Sequence, residues 1–167
     1  MKIVKLLFIL MCFNSLAYAD KNMKIGSKGN ESDISRVIKV IMYDNYYEPS
    51  SFQINAGETI KFEIENAGEL VHEFNIANKM MHIKHQPEML KMVAMEILLG
   101  DKIDMKKMKE AAKSDHSMAH SHSNSVLLEP NKIGELIWKF TTDASLEAAC
   151  NVPGHYQSGM VAKITKL

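Results

Sequence analysis

The sequence has very few cysteines: Cys12 and Cys150 are the only two in 167 residues. Cys12 lies in an N-terminal segment that resembles a secretory signal, so Cys150 is expected to be the one thiol of the mature chain. A lone thiol excludes an internal disulfide, even in an oxidising compartment. It is therefore reactive, buried or a metal ligand, and composition alone leaves these three open.

The sequence also lacks a long hydrophobic run and a net charge. No segment after the N-terminal one reaches about 18 uncharged apolar residues, the length that a membrane-spanning helix needs. The 20 basic and 20 acidic residues balance, and nothing suggests the clustered basic charge that nucleic-acid binding requires. We therefore expect neither a membrane nor a nucleic acid as a partner of the mature chain.

Residues 1–19 have the pattern of a signal peptide. Lys2 and Lys5 supply the positive start, a short apolar run follows, and Ala17-Tyr18-Ala19 forms a small-x-small cleavage site. We therefore predict export to the periplasm. The remaining 148 residues carry 18 basic and 20 acidic side chains, a net charge of about −2. Lipidation at Cys12 is the disfavoured alternative, because the residue before it is bulkier than such a signal normally tolerates.

The rest of the chain begins with a polar stretch and continues with short strands. Residues 20–35 show no periodicity, which predicts a flexible leader. Further on, Ile60, Phe62 and Ile64 alternate with charged residues, the two-residue period of a half-buried strand. Seven or eight such strands with turn signals between them predict one all-β domain over 36–167, an antiparallel sandwich or barrel.

A long, partly helical insert interrupts the strands from about residue 77 to residue 124. Pro87 stands where a helix could start, and residues 88–99 form helices readily. A second helix is predicted over about 103–112. The Ser/His/Met segment 114–125 has little apolar content, so we expect little order there.

Methionine and histidine are concentrated in this insert. They are Met80, Met81, Met89, Met92, Met95, Met105, Met108 and Met118, with His82, His85, His116, His120 and His122. Thioethers suit Cu(I) and imidazoles suit Cu(II), so an accessory copper site is one interpretation. For Met89, Met92 and Met95 we favour packing of a helix over the sandwich. For the tract 115–122, a solvated linker and a copper site both remain open.

The segment CNVPGHYQSGM places Cys150, His155 and Met160 at equal five-residue intervals. Its internal proline and glycine exclude a regular helix, so the segment must be a loop. A curled loop can bring the three side chains to one point, and His72 from a distant strand can complete the set. Two imidazoles, one thiolate and a weak axial methionine define a blue-copper, or type 1, site. We therefore predict that these four residues bind one copper ion.

Other metal centres fit this donor set less well. Zinc prefers more thiolate, or a Cys/His set without methionine. A haem would need a C-x-x-C-H motif, and a dinuclear copper centre would need a second cysteine in the loop. Taken singly, Cys150 and Met160 could be core residues, and His72 could be a polar strand residue whose hydrogen bonds are satisfied. Their combination with His155 at fixed spacing favours metal binding.

Three motifs carry a family resemblance: His72-Glu73-Phe74, Trp138-Lys139-Phe140 and CNVPGHYQSGM. Over about 36–77 and 125–167 the chain resembles the plastocyanin/azurin-type cupredoxins, most closely the exported copper-tolerance and copper-homeostasis members. This resemblance implies a Greek-key β-sandwich with copper near one end, held by the four residues named above. Two features depart from the pattern. Glu73 stands where those proteins often have a polar amide, and the insert is much longer.

Three functions follow from these expectations. The first is a periplasmic copper-binding protein for copper homeostasis or tolerance. The alternative is a diffusible electron carrier, which would need an apolar patch near His155 to dock a redox partner protein. An enzyme is not expected, because multicopper catalysis needs several His-x-His pairs and only His120-Ser121-His122 has that pattern. Both histidine ligands must be neutral to coordinate, so acid is expected to weaken copper binding.

Overall fold

The computed structural model describes residues 25–141 and 145–167, which form ten strands and two helices. The predicted signal peptide, residues 1–19, lies outside the described residues. The strands are β1 Gly26–Lys28, β2 Arg36–Tyr43, β3 Tyr46–Glu48, β4 Ser51–Ile54, β5 Thr59–Asn66, β6 His72–Ala77, β7 Ser125–Leu128, β8 Ile133–Phe140, β9 Glu147–Ala149 and β10 Val161–Lys166. The helices are α1 Lys79–Ala94 and α2 Met105–Ala111. Within the described residues, neither helix is long and apolar enough to cross a membrane.

The strands form two five-stranded sheets, ordered β1-β8-β5-β2-β3 and β4-β10-β9-β6-β7. This confirms the predicted all-β sandwich, and strands next to each other in the sheets are often far apart in the chain, as in Greek-key folds. The expectation of a wholly antiparallel arrangement is wrong, because β2 pairs with β5 in parallel and β4 with β10 in parallel. The chain leaves the first sheet at β4 and returns at β5, and such a crossover lets two strands run in the same direction.

The main core lies between the two sheets. Ile60, Phe62 and Ile64 are fully buried on β5, as the alternation predicts. Phe62 packs against Phe74 of β6 with ring centroids 5.3 Å apart, and against Phe52 of β4 in an edge-to-face contact. Fully burying such a side chain stabilises the fold by about 1.5–3 kcal/mol. This core fixes the position of β6, which carries His72.

The first short strand corrects the prediction of a flexible leader for the described residues 25–35, whereas residues 20–24 of that leader lie outside the described part of the chain. Residues 26–28 form β1, which pairs with β8 in antiparallel register. Trp138 of β8 donates its indole N–H to the carbonyl of Ile25 at 3.3 Å. Gly26 has a φ of 137°, and a side chain there would collide with the Trp138 indole. Pairing with a distant strand therefore orders a stretch whose own sequence shows no strand periodicity.

The first helix begins earlier than the sequence predicts. α1 starts at Lys79, where the Asn78 side chain accepts a hydrogen bond from the Met81 backbone N–H at 2.9 Å and caps the helix. Pro87 lies inside this helix rather than at its start. Burial of His82 before the proline and of Met89 and Met92 after it stabilises the helix despite the lost backbone hydrogen bond. The second helix, α2, forms within the predicted range.

A second apolar cluster holds the insert onto the sandwich. Its buried members are Val71, Met89, Met92, Ile97, Leu98, Met108, Ala111 and Met118. Met89 and Met92 are fully buried, which confirms the packing interpretation for both, whereas Met95 is 41% exposed. The expectation of little order over 114–125 is wrong: residues 116–119 form a 3-10 turn and Met118 is fully buried. One methionine thus anchors a segment with little other apolar content.

Candidate metal centre

The predicted metal ligands meet at the end of the sandwich where β6 begins and β9 ends. Cys150 directly follows β9, and the next ten residues form the loop that leads to β10. Two backbone hydrogen bonds close this loop: Cys150 N–H donates to Met160 O at 3.2 Å, and Met160 N–H donates to His155 O at 3.0 Å. The loop therefore curls, as its spacing requires.

Three donor atoms converge from stretches far apart in the sequence. His72 Nδ1 lies 3.2 Å from His155 Nδ1 and 3.9 Å from Cys150 Sγ. Cys150 Sγ lies 3.4 Å from His155 Nδ1. Metal bonds of about 2.0–2.3 Å place two donors of a trigonal plane roughly 3.5–3.8 Å apart. The three observed separations bracket that range, so the residues present fit one first-row metal ion.

Met160 lies beside these donors, fully buried. Its backbone bonds to both Cys150 and His155 hold it at the close of the loop. Its role as a weak axial ligand stays a prediction.

Asp44 orients the first imidazole, and the sequence analysis did not identify it. His72 Nε2 lies 2.8 Å from Asp44 Oδ1, which leaves Nδ1 facing the other donors. The Asp44 carboxylate also accepts the backbone N–H groups of Glu69 and Leu70. A side chain on Gly68 would collide with both members of the pair, so glycine is required there. Carboxylates that hold a ligand histidine in this way raise its basicity and fix its orientation.

The donor atoms are uncharged in the absence of metal. Burial raises the pKa of the Cys150 thiol to about 12, although the Glu73 backbone N–H donates to its sulfur at 3.3 Å. Burial lowers the pKa of His72, and the Asp44 carboxylate offsets part of that effect. Burial also lowers the pKa of His155, and the neighbouring His72 lowers it further. A copper ion that binds here would therefore coordinate two neutral imidazoles and would have to displace the proton of the Cys150 thiol.

The side chain of Glu73 is a fully buried carboxylate next to the metal donors. Oε2 accepts hydrogen bonds from the backbone N–H and the side-chain amide of Asn151, at 3.2 and 2.7 Å. Oε1 accepts from Ser125 Oγ at 2.5 Å and from Asn75 Nδ2 at 3.1 Å, and it lies 3.1 Å from His85 Nε2. This residue, which departs from the family pattern, thus ties the Cys150 loop to β6, β7 and α1.

The charge of Glu73 is stabilised by its neighbours. Burial by itself would raise the pKa of this carboxyl, but its interactions with His120 and His85 hold the pKa well below the usual range. Burial lowers the pKa of His85, yet Glu73 and then Glu88 raise it by more. A carboxylate paired with cationic or neutral hydrogen-bond donors avoids the penalty of an isolated buried charge.

Helix α1 packs across the Cys150 loop. Gln157 Nε2 donates to Gln86 Oε1 at 2.9 Å, and the rings of Tyr156 and His82 have centroids 5.6 Å apart. A pocket of about 230 Å³ opens beside His155 and is lined mostly by apolar residues, among them Val93 of the same helix. The insert therefore packs against the loop and also lines the pocket beside the His155 imidazole.

Comparisons with known proteins agree with this geometry. Residues 5–96 match the family model described as a cupredoxin-like domain. The chain is 40% identical to the copper-resistant cuproprotein CopI of Pseudomonas aeruginosa, covering 84% of this chain and 81% of that protein. It is 27% identical to the CopI protein of Vibrio cholerae, covering 84% and 70%.

Two solved structures share the fold. The reduced auracyanin of Roseiflexus castenholzii has a TM-score of 0.56 at 16% identity, covering 80% of this chain and 98% of that one. An azurin of Methylomonas sp. strain J has a TM-score of 0.52 at 13% identity, covering 80% and 98%. At these identities the likeness concerns the fold alone.

Proposed function

Because the chain belongs to the cupredoxin-like domain family, we propose that it is an exported copper-binding protein of copper homeostasis or tolerance. One copper ion is held by His72, Cys150, His155 and Met160. The observation that carries this proposal is the convergence of two imidazole nitrogens and one sulfur within 3.9 Å, from residues 72, 150 and 155.

Bound copper supplies a one-electron cycle between Cu(II) and Cu(I). The residues of this chain hold its donors in place throughout. Asp44 fixes the ring of His72, the Glu73 N–H donates to the sulfur of Cys150, and the closed loop limits movement of His155. Such a preformed site favours tight retention of the ion, which suits a protein that sequesters copper.

The role in copper tolerance is supported by the relatives. Those reported above are named copper-resistant cuproproteins, and the chain covers most of their length. Export is supported by the signal-like pattern of residues 1–19. Cell fractionation tests this part of the proposal: the mature chain is expected in the periplasm, and recovery of the full-length chain in the cytoplasm would contradict it.

A visible spectrum tests the copper site directly. Adding Cu(II) to the purified mature chain is expected to give strong thiolate-to-copper absorption, which Cys150→Ser abolishes. Gln157→Ala is the matched control, because this residue lies in the same loop and contacts Gln86 of α1 rather than the metal donors. It should keep the absorption. The proposal is wrong if the native chain shows no such band, or if Cys150→Ser retains it.

The electron-carrier alternative is favoured by the pocket beside His155. Leu70 and Val93 line it and are 38% and 39% exposed, so an apolar edge is available to a redox partner protein. Leu70→Glu separates the two functions, because it alters this edge and leaves the metal donors unchanged. For copper tolerance, a strain lacking the protein should be copper-sensitive and Leu70→Glu should restore growth. For a carrier, growth in copper should be unaffected by the deletion, and Leu70→Glu should slow electron transfer to the partner.

A further inference from the structure

A second group of metal-binding side chains lies on the far side of Glu73. His85, His120 and His122 each offer a ring nitrogen, and these atoms all lie within 4.8 Å of one another. Their ring centroids form a nearly equilateral triangle with sides of 5.3, 5.0 and 5.2 Å. One ring comes from α1 and two come from the segment before β7, so the tertiary fold brings them together.

One nitrogen of this triangle has no hydrogen-bond partner among the described residues. The side chain of His120 is 4% exposed, and its Nε2 lies 3.0 Å from Glu73 Oε1 without the alignment of a hydrogen bond. His120 also has a φ of 45°, in the left-handed region that a non-glycine residue rarely adopts. A buried imidazole nitrogen that lies against a carboxylate without an aligned hydrogen bond, on a strained backbone, is unfavourable for stability alone. Such strain is concentrated at binding sites.

Two carboxylates surround the triangle. In His85, Nδ1 lies 3.0 Å from the Glu88 carboxylate and Nε2 lies 3.1 Å from the Glu73 carboxylate. His122 Nε2 lies 3.3 Å from Glu88. Negative charge at this distance favours a cation. Carboxylates are also the usual partners that orient metal-binding imidazoles through the nitrogen not used for the metal. Both ring nitrogens of His85 contact carboxylates, so a metal ion must displace one of these two contacts to bind there.

From these observations we propose that His85, His120 and His122 form a second copper site, separate from the Cys150 site. Nitrogen donors of one first-row metal lie about 3.0–3.5 Å apart, so separations of at most 4.8 Å close with an inward movement of no more than about 1.5 Å. Imidazole sites hold Cu²⁺ more tightly than the other divalent first-row metals, which selects copper over zinc. The proposal does not rest on the Cys150 site, because the two sites have no donor in common.

The cluster has an entry path. A pocket of about 310 Å³ opens onto it and is lined by His85, His122, Glu88 and Met81 among others. Met81 is 38% exposed, and its thioether provides a soft donor at the mouth, which suits Cu(I). Glu73 contacts the cluster with its side chain and Cys150 with its backbone N–H, so the two sites are close neighbours in the fold.

Copper counting with a matched pair of histidine variants tests this site. The full mature chain, incubated with Cu²⁺ and desalted, is expected to retain about two ions, and His122→Gln about one. His122 is the most exposed of the three, with 37% of its side chain accessible, so its replacement disturbs the fold least. His116→Gln is the control, since it changes an exposed histidine of the same segment that lies outside the cluster. It should keep both ions.

Two further measurements separate this site from the first one. Thiolate-to-copper absorption should be the same in His122→Gln and the native chain, which shows that the variant folds. Cys150→Ser should lose that absorption and still retain the cluster's copper, with the electron paramagnetic resonance of copper bound without thiolate. Loss of all copper from Cys150→Ser, no loss in His122→Gln, an equal loss in His116→Gln, or displacement of the cluster's copper by equimolar Zn²⁺ would each overturn the proposal.

Discussion

Replacing the buried carboxylate Glu73 with glutamine is expected to destabilise the metal-free protein strongly. The substitution keeps size and shape but exchanges one acceptor oxygen for an NH₂ group. If Oε2 is exchanged, the backbone and side-chain N–H groups of Asn151 lose their acceptor. If Oε1 is exchanged, Asn75 and His85 lose theirs, while the Ser125 hydroxyl can rotate to accept from the new NH₂ group. Either orientation leaves at least two buried donors unmet.

The size of the effect follows from that count. A buried donor without a partner costs about 1–3 kcal/mol, so two of them lower the free energy of unfolding by roughly 2–6 kcal/mol. This is a large share of the about 5–15 kcal/mol that stabilises a typical domain. Ser125→Ala removes a single donor to the same carboxylate and should have a smaller effect in the same direction.

Urea unfolding with EDTA present measures this change. Trp138 is the single tryptophan and is buried, so its fluorescence reports on the global transition. Glu135→Gln is the matched control, because Glu135 pairs with Lys61 at 2.8 Å on the surface, an interaction that contributes less than about 1 kcal/mol. If Glu73→Gln shifts the free energy of unfolding by no more than Glu135→Gln does, the carboxylate does not hold the Cys150 loop in place.

Three further outcomes are expected. Because the pKa of the Cys150 thiol is about 12 and those of both site imidazoles are lowered, copper binding at pH 7.5 should release about one proton per ion. Calorimetry in buffers of different ionisation enthalpy measures this, and zero release would contradict it. Asp44→Asn should weaken copper binding about 10–100-fold in a chelator competition, since it removes the carboxylate that orients His72. An unchanged affinity would mean that Asp44 is dispensable. Met118→Ala should lower the free energy of unfolding by about 2–5 kcal/mol, while Met105→Ala, at a site 52% exposed, should have little effect. Equal effects would mean that the 114–125 segment is not anchored.

Much of the sandwich and the candidate site could be predicted from local patterns. The alternation of Ile60, Phe62 and Ile64 marks β5, because the period of a strand is a property of neighbouring residues. Cys150, His155 and Met160 likewise lie within one short loop. Closing that loop brings the three residues near one another, whatever the rest of the fold does. These features depend on few long-range contacts.

Features that depend on pairing between distant segments could not be predicted. Residues 26–28 become a strand only because β8 offers a free edge. Asp44 becomes a partner of His72 because β2 ends and β6 begins at the same end of the sandwich, and nothing near residue 44 in the sequence signals this. The prediction of little order over 114–125 failed for a related reason. The segment has low apolar content, and Met118 helps to order it by packing against residues of α1 and α2, which lie outside the segment.

The sequence by itself determined the donor types, their spacing in the Cys150 loop and the all-β class, since these depend on chemistry and on short-range periodicity. Only the tertiary structure decided what surrounds them. The β6 and β7 register pairs Glu73 with Leu127, and this pairing carries the preceding His120 to the same carboxylate that contacts His85, while His122 reaches Glu88. Sheet register depends on how whole strands bury their faces against each other, so it brought His85 to the His120-Ser121-His122 pair, a partner that no sequence motif had indicated.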